Sequence, residues 1–544
     1  MNMKKIPLIH PFLFAIFAIL FPFSHNIGQV LFFQTLRSAI LALGFTLLLF
    51  FLFKLFLDDN KKAAILTSLF LVPLFSYGYF YTAINKLVIF RHRYLLLALG
   101  IIFFTGSYSI IKTRKNLSSV TNFLNFTAIS LVTISLANIV VFEFQTRSIS
   151  THGEVVKGHE TDTANFKKTG ALPDIYYIIL DGHMGSTTLK EGYGCDNSEF
   201  IKYLSEKGFY VVPQARSNYN VTHFSLPSSL NMEYVNYLGD RIKVRGDFRM
   251  PFRMINDNRV MRFLKAKGYK FVHFGSWWGP TAHNPYADVE YKCLNEFELI
   301  LMKTSILNLV YDHIMAHISR SAILYTFDKL AEIPDIKAPT FTFAHIICPH
   351  YPYVFGRNGE KTEFQFSLIP DYPYNVQCKE FYLDQLIFID KKVEELVEKI
   401  LSGSKSPPII ILQSDHGWSF GKDRKSAKCL SETQEILNAY YLPAGGEKIL
   451  YKTITPVNSF RLIFNFYFDT DFELLPDKSY VFTYGSFPVK FTNIEDAIDG
   501  NKKKSDLQRK AGRKGNVLRF QHCQKFCPGY FSCKSRSSYL LRRY

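Results

Sequence analysis

An aspartate and a histidine stand side by side at Asp415-His416, directly after the apolar run Ile409-Ile410-Ile411-Leu412-Gln413 and Ser414. A carboxylate next to an imidazole offers hard and borderline donor atoms to a divalent metal ion. A second aspartate, Asp181, ends the run Ile175-Tyr176-Tyr177-Ile178-Ile179-Leu180 and is followed by Gly182. Between these two places lies a polar loop, Ser217-Asn218-Tyr219-Asn220-Val221-Thr222-His223-Phe224-Ser225, that passes toward Leu230 as a short helix. A free threonine hydroxyl is a weak nucleophile. A metal activates it by stabilising the alkoxide and holding a phosphoryl oxygen, and a helix N-terminus behind it adds amide donors for an anion.

These side chains can meet only if strands carry them to one rim. Pro173 precedes the first run, and Pro407-Pro408 precede the second. A short apolar run bounded by such breakers reads as a strand buried on both faces. In open α/β sheets ligands gather at the carboxyl ends of the strands, where Asp181, Asp415 and His416 stand. Gly417 lets the chain turn away with no side chain in the cavity. Further strands are expected at Tyr210–Val212, Phe271–Phe274, Thr340–His345 and Tyr480–Thr483, with helices at Ser198–Lys207, Asn258–Lys267 and Tyr382–Leu401. Two of those helices run into Gly208 and Gly268, the expected joint between helix and strand. Residues 173–495 therefore predict an α/β domain with a doubly wound, mostly parallel sheet.

The remainder of the 544-residue chain has another character. Apolar runs at about 6–24, 29–57, 63–85, 94–111 and 120–142 are each near the ~20 residues that span a bilayer, so residues 1–145 predict a membrane domain of about five helices. His10 and Pro11 are expected to kink the first. With a cytoplasmic N-terminus, the inside segments hold eight Lys/Arg and the outside segments four, which favours that orientation and puts the α/β domain on the far side. Residues 146–172 read as a polar linker. The net charge of +18 is concentrated in the tail: residues 501–544 hold thirteen Lys/Arg and one acid. The charge is therefore no sign of nucleic-acid binding. Residues 496–544 predict a disordered basic tail, and the spacing of His522, Cys523, Cys527 and Cys533 matches no zinc pattern.

Two strands that end in Asp-Gly and Asp-His-Gly resemble the alkaline phosphatase and sulfatase superfamily, in which such residues hold a catalytic metal. Thr222-x-x-Ser225-x-Pro227 resembles the nucleophile region of the lipid A phosphoethanolamine transferases. That resemblance implies Thr222 as nucleophile and metal ligand, with Asp181, Asp415 and His416 completing the site; Asn218, in the same loop, is expected to bind substrate. Ser217, Ser225 and Ser228 are alternative hydroxyls. His345-x4-His350-x-Pro352 is similar to the histidine segment of the same transferases and of lipoteichoic acid synthases. It implies that His350 contacts the transferring phosphate or protonates the leaving oxygen, and that His345 is a substrate or second-metal ligand, with a satisfied histidine at a strand end as the alternative. Asp181 stands where those transferases carry a glutamate. No histidine follows closely on Asp-His-Gly, and His283 is the only substitute offered for a second metal site. No Cys-x-Pro-x-Arg or Ser-x-Pro-x-Arg, the signal for formylglycine, occurs in the nucleophile region.

What the resemblance implies is an integral, multi-pass protein of a bacterial inner membrane with a periplasmic or extracellular catalytic domain. The metal would be Zn or Mn. The activity would be transfer of a phospho-head group from a membrane lipid or lipid-linked donor to a cell-envelope glycan or lipid, through a phospho-threonine. A sulfatase-like phosphodiester hydrolase and an inactive envelope scaffold of the same fold are the rival expectations.

Overall fold

The computed structural model describes residues 7–85, 87, 91–150, 172–292, 296–362, 375–421, 423–483 and 487–498. Most of the expected linker and nearly all of the basic tail, with His522, Cys523, Cys527 and Cys533, lie outside the described residues.

Five helices form the N-terminal region: His10–Asn26, Phe33–Phe56, Asn60–Asn85, His92–Lys112 and Ser118–Ser150. Four of them are long and apolar enough to cross a membrane. The first has 17 residues and packs along the second, third and fifth. The protein is thus a multi-pass membrane protein. His10 and Pro11 start the first helix instead of kinking it, because proline is tolerated in a first turn, where its missing N–H has no partner to lose. The His10 ring bonds Ser68 Oγ of the third helix at 2.6 Å. The fifth helix continues to Ser150, through the start of the segment read as linker.

The C-terminal half is organised on a sheet of seven strands: β1 Ile175–Leu180, β2 Tyr210–Val211, β3 Lys270–Phe274, β4 Val289–Tyr291, β5 Thr340–Ile346, β6 Ile409–Gln413 and β7 Asn438–Tyr441. Their order is β2-β7-β6-β1-β5-β3-β4. β6, β1, β5, β3 and β4 are parallel, while β7 is antiparallel to both of its neighbours. β4 and β7 are short and were not read from the sequence. β8 Tyr480–Phe482, expected in this sheet, pairs instead with β9 Phe491–Asn493 as a separate hairpin.

Alternate residues of the central strands feed two cores. Ile175, Tyr177, Ile179, Phe341, Phe343, Ile409 and Ile411 point to one face, which is covered by the helices Thr222–Asn231, Arg259–Ala266 and Pro456–Phe468. Tyr176, Ile178, Leu180, Ala344, Ile346, Ile410 and Leu412 point to the other, under the helices Ser198–Glu206, Tyr311–Leu330 and Lys379–Gly403. Covering both faces explains why these strands read as unbroken apolar runs. The domain rests on the ends of the membrane helices. The helix Glu296–Thr304 packs against the first three of them, and Glu298 Oε1 pairs with Arg37 Nε at 2.7 Å. At Gly78 a Cβ would fall 2.1 Å from Lys303 O, so only glycine permits this approach.

Candidate metal centre and active site

β1 lies between β5 and β6, and the three run parallel, so the residues after Leu180, Ile346 and Gln413 emerge side by side. The Asp181 amide donates to Ile346 O at 3.0 Å, and the His350 amide donates to Asp181 O at 2.9 Å. Gly182 adopts φ +73°, a region open to glycine, and its amide donates to Asp415 Oδ1 at 3.3 Å.

At this rim Asp181, Asp415 and His416 each bring one donor atom to within 4.8 Å of the others, and all three residues are buried. His416 Nε2 lies 3.6 Å from Asp181 Oδ1 and 3.5 Å from Asp415 Oδ2. Neither of those carboxylate oxygens has a hydrogen-bond partner. Buried, unpartnered carboxylate oxygens are costly, and a divalent cation between them removes the cost. The donor set of two oxygens and one imidazole nitrogen fits zinc or manganese. His416 Nδ1 is 2.7 Å from Gly417 O. A carbonyl only accepts, so Nδ1 carries the proton and Nε2 keeps its lone pair for a metal.

Thr222 is the first residue of the helix Thr222–Asn231, and its hydroxyl lies near Asp415, where it favours the ionised carboxylate. The expected nucleophile thus stands at a helix N-terminus near Asp415 of the candidate metal cluster. His345, on β5, has Nε2 3.3 Å from Asp181 Oδ2 and Nδ1 2.9 Å from Thr281 Oγ1. His350 Nδ1 is 2.8 Å from Tyr351 O, which leaves Nε2 as the nitrogen with a lone pair. Its ring centroid lies 4.8 Å from that of Trp418 and 6.3 Å from that of His416. Six of the expected site residues therefore converge.

Others do not. Asn218 is corrected from substrate ligand to framework: its amide nitrogen donates to Lys478 O at 2.9 Å, and its oxygen accepts from the Val457 amide at 2.7 Å. Ser217, Ser225 and Ser228 are engaged with Gln434 Oε1, Asp415 O and Glu233 O, which removes them as alternative nucleophiles. His283 bonds Glu290 at 2.7 Å, apart from the Asp181 cluster, so it does not supply a second metal site there. Sequence reading missed two other groups. His183 is buried, with Nε2 2.9 Å from Asp390 Oδ1, and its amide donates to Ser414 Oγ at 2.9 Å, bracing β1 against β6. A carboxylate at an apolar position of the helix Lys379–Gly403 was the signal available for Asp390. The His223 ring packs against Phe248, Phe252 and Trp278, and burial pushes its pKa down to about 4.

The charges of the centre are tightly balanced. Burial opposes ionisation of Asp181, yet His350, His345 and His416 outweigh it and hold the carboxyl well below the usual range. Asp415 shifts the other way, raised by burial and then by the Asp181 charge. Burial also opposes the His416 cation, but Asp415 and Asp181 prevail and its pKa rises. In the metal-free protein His416 thus holds its proton to a higher pH than a free histidine does. A metal must displace that proton, so zinc affinity is expected to plateau above the raised pKa and to fall as pH drops below it. Calorimetry at several pH values in buffers of different ionisation enthalpy checks this through the protons released. Affinity independent of pH from about 5 to 8 would remove His416 from the ligand set.

Gly417 is held by crowding and not by a turn: a Cβ there would lie 2.1 Å from Glu432 O and 2.5 Å from Glu435 O. Gly417→Ala is expected to destabilise the domain by about 1–3 kcal/mol, as overpacking does. It also displaces the neighbouring His416, so zinc affinity falls with stability. Unchanged melting and zinc binding would contradict the crowding.

Taken together, the membrane helices, the parallel strand ends and the two orphaned carboxylate oxygens define a membrane-anchored α/β protein with a cluster suited to a divalent metal. The sulfatase family model matches residues 173–460, just over half of the chain, and the protein belongs to that family. Solved structures similar to it include the C-terminal periplasmic domain of EcEptC from Escherichia coli in complex with Zn (14% identity, 61% of this chain and 96% of that one, TM-score 0.40). Another is the integral membrane protein lipooligosaccharide phosphoethanolamine transferase A (EptA) from Neisseria meningitidis (12% identity, 82% and 94%, TM-score 0.36). A third is a Bacteroides thetaiotaomicron protein of glycosaminoglycan metabolism, BT33494S-sulf (14% identity, 58% and 81%, TM-score 0.37). The search of curated proteins gives no match.

Proposed function

We propose that the protein is a metal-dependent phosphotransferase that moves a phospho-head group from a membrane lipid donor to a cell-envelope glycan or lipid, through a phospho-threonine at Thr222. The observation that carries this reading is the Thr222 hydroxyl, placed at a helix N-terminus against Asp415. A divalent metal held by Asp181, Asp415, His416 and the Thr222 oxygen would supply Lewis-acid neutralisation of the charge on the transferring group. The chain's own residues divide the rest of the task. Thr222 Oγ attacks phosphorus in line, and the bond to the lipid oxygen breaks. His350 Nε2 carries the proton lost by Thr222 to that leaving oxygen. In the second half the acceptor hydroxyl gives its proton to the same nitrogen and attacks phosphorus, and Thr222 Oγ regains the proton. Burial lowers the pKa of His350, which keeps the ring ready to accept. With Thr at the nucleophile position and no formylglycine signal, phosphoryl chemistry is favoured over sulfate-ester hydrolysis.

Sidedness is supported by charge. Lys61 bonds Ser118 Oγ and Lys62 bonds Ile111 O at the end of the bundle remote from the α/β domain. Basic residues gather on the cytoplasmic side, so the catalytic domain is assigned to the periplasmic or extracellular side.

The test is full-length protein in nanodiscs containing head-group-labelled phospholipid, with zinc or manganese. Metal-dependent labelling of the peptide that carries Thr222, with release of diacylglycerol, is expected. Free phospho-head group without a transferable label would assign hydrolysis. No labelling and no turnover, despite bound metal, would sink the reading.

A further inference from the structure

The segment from Asp240 to Arg253 holds five basic residues, Arg241, Lys243, Arg245, Arg249 and Arg253, against two acids, Asp240 and Asp247. Arg249 is spent on Asp247 and Glu143, and Arg241 lies over the Tyr237 ring. Lys243, Arg245 and Arg253 are exposed, and among the described residues none of the three has an ion-pair partner. Three exposed cations within eleven residues repel one another, and an anionic surface opposite them relieves that repulsion.

The place of the segment identifies that partner. The Phe248 amide donates to Gly28 O at 2.9 Å, and Gly28 sits in the connector between the first two membrane helices. A Cβ at Gly28 would fall 2.2 Å from Gly246 O, so the two backbones touch. Arg249 also reaches Glu143 at 2.7 Å and lies over the Phe142 ring, near the end of the fifth membrane helix. The segment is therefore clamped at the level where the helices leave the bilayer. At the start of the second helix stand the exposed aromatics Phe32 and Phe33, 60% and 50% accessible, as in an interfacial aromatic belt. Within the segment, Phe248 and Phe252 pack on the ring of His223, the neighbour of Thr222, at 4.7 and 5.2 Å.

We infer that Lys243, Arg245 and Arg253 form a docking surface for the anionic head groups of the bilayer, which holds the catalytic domain down on the membrane and draws anionic lipid toward the Thr222 side of the domain. This rests on the membrane-spanning reading, not on the phosphotransferase one. Each basic residue near an anionic surface changes lipid preference about fivefold.

The test is hydrogen exchange of residues 240–254 in the full-length protein, in nanodiscs of phosphatidylcholine alone or with phosphatidylglycerol. Exchange at least about fivefold slower with phosphatidylglycerol is expected. The protection should vanish in about 0.5 M salt, where charges are screened within a few ångströms. The triple variant Lys243→Gln, Arg245→Gln and Arg253→Gln should lose it, and the charge-keeping Lys243→Arg, Arg245→Lys and Arg253→Lys should retain it. Exchange elsewhere in the domain reports whether each variant is folded. Equal exchange in the two lipids would overturn the proposal. So would protection in phosphatidylcholine discs brought about by a soluble polyanion such as inositol hexakisphosphate, which would assign the surface to a soluble partner. Because no turnover is read, failure here is separate from failure of the phosphotransfer reading.

Discussion

Thr222→Ala is expected to lower metal-dependent turnover of an activated phosphodiester by at least about 10³-fold, roughly 4 kcal/mol of barrier, while zinc affinity falls much less. The argument is positional. The hydroxyl sits where the helix Thr222–Asn231 begins, near Asp415 of the Asp181, Asp415 and His416 cluster, and a helix N-terminus favours an anion there. Thr222 has no rival there, since Ser217, Ser225 and Ser228 are committed to other partners. On the proposed mechanism, removing the hydroxyl deletes the atom that would bond to phosphorus but leaves both carboxylates and the imidazole in place. Thr222→Ser keeps an oxygen on Cβ and should retain a measurable part of the rate and the covalent label. The measurement is steady-state turnover of the three full-length proteins, with zinc content determined on the same samples. Equal rates for wild type and Thr222→Ala would remove Thr222 from the chemistry, and a variant that is slow only because it has lost zinc would make Thr222 chiefly a ligand.

The central strands were legible because burial on both faces wrote them as unbroken apolar runs, and the strand-end rule then pointed to Asp181, Asp415 and His416. β4 and β7, three and four residues long, carry too little sequence for a period to show, and Tyr480–Phe482 has strand composition that cannot say which sheet it joins. Asn218 was misplaced because a loop asparagine beside a nucleophile looks the same in sequence whether it faces substrate or ties down its own backbone. The His183–Asp390 pair joins residues 207 apart, and only the packing of a helix on the sheet brings them together. His223 was written in the sequence next to Thr222, but its aromatic setting comes from Phe248, Phe252 and Trp278, which the chain supplies later.

Asp415→Asn separates the metal from the fold. In wild type, zinc present at a hundred times its dissociation constant stabilises the folded state by about 2.7 kcal/mol, a rise in melting temperature on the order of 5 °C. The variant should lose that increment and its activity together, because a neutral amide oxygen is a far weaker ligand and no longer offsets the metal charge. Without metal the order reverses. Burial and the Asp181 charge raise the folded pKa of Asp415 above the ordinary carboxyl value of about 3.9. A raised pKa means that the metal-free fold gains stability in acid, below the unfolded pKa, and loses it as pH climbs through the folded pKa. Asp415→Asn has no such proton to lose. Near neutral pH with chelator, the variant should therefore melt higher than wild type, and the difference should shrink as pH falls toward the ordinary carboxyl range. Calorimetric scans of both proteins, with zinc and with chelator, across that range give all four quantities. A variant still stabilised by zinc as wild type is would exclude Asp415 as a ligand. A variant that melts lower than wild type even in chelator would show Asp415 to be structural, with its orphaned oxygen serving the fold and not a cation.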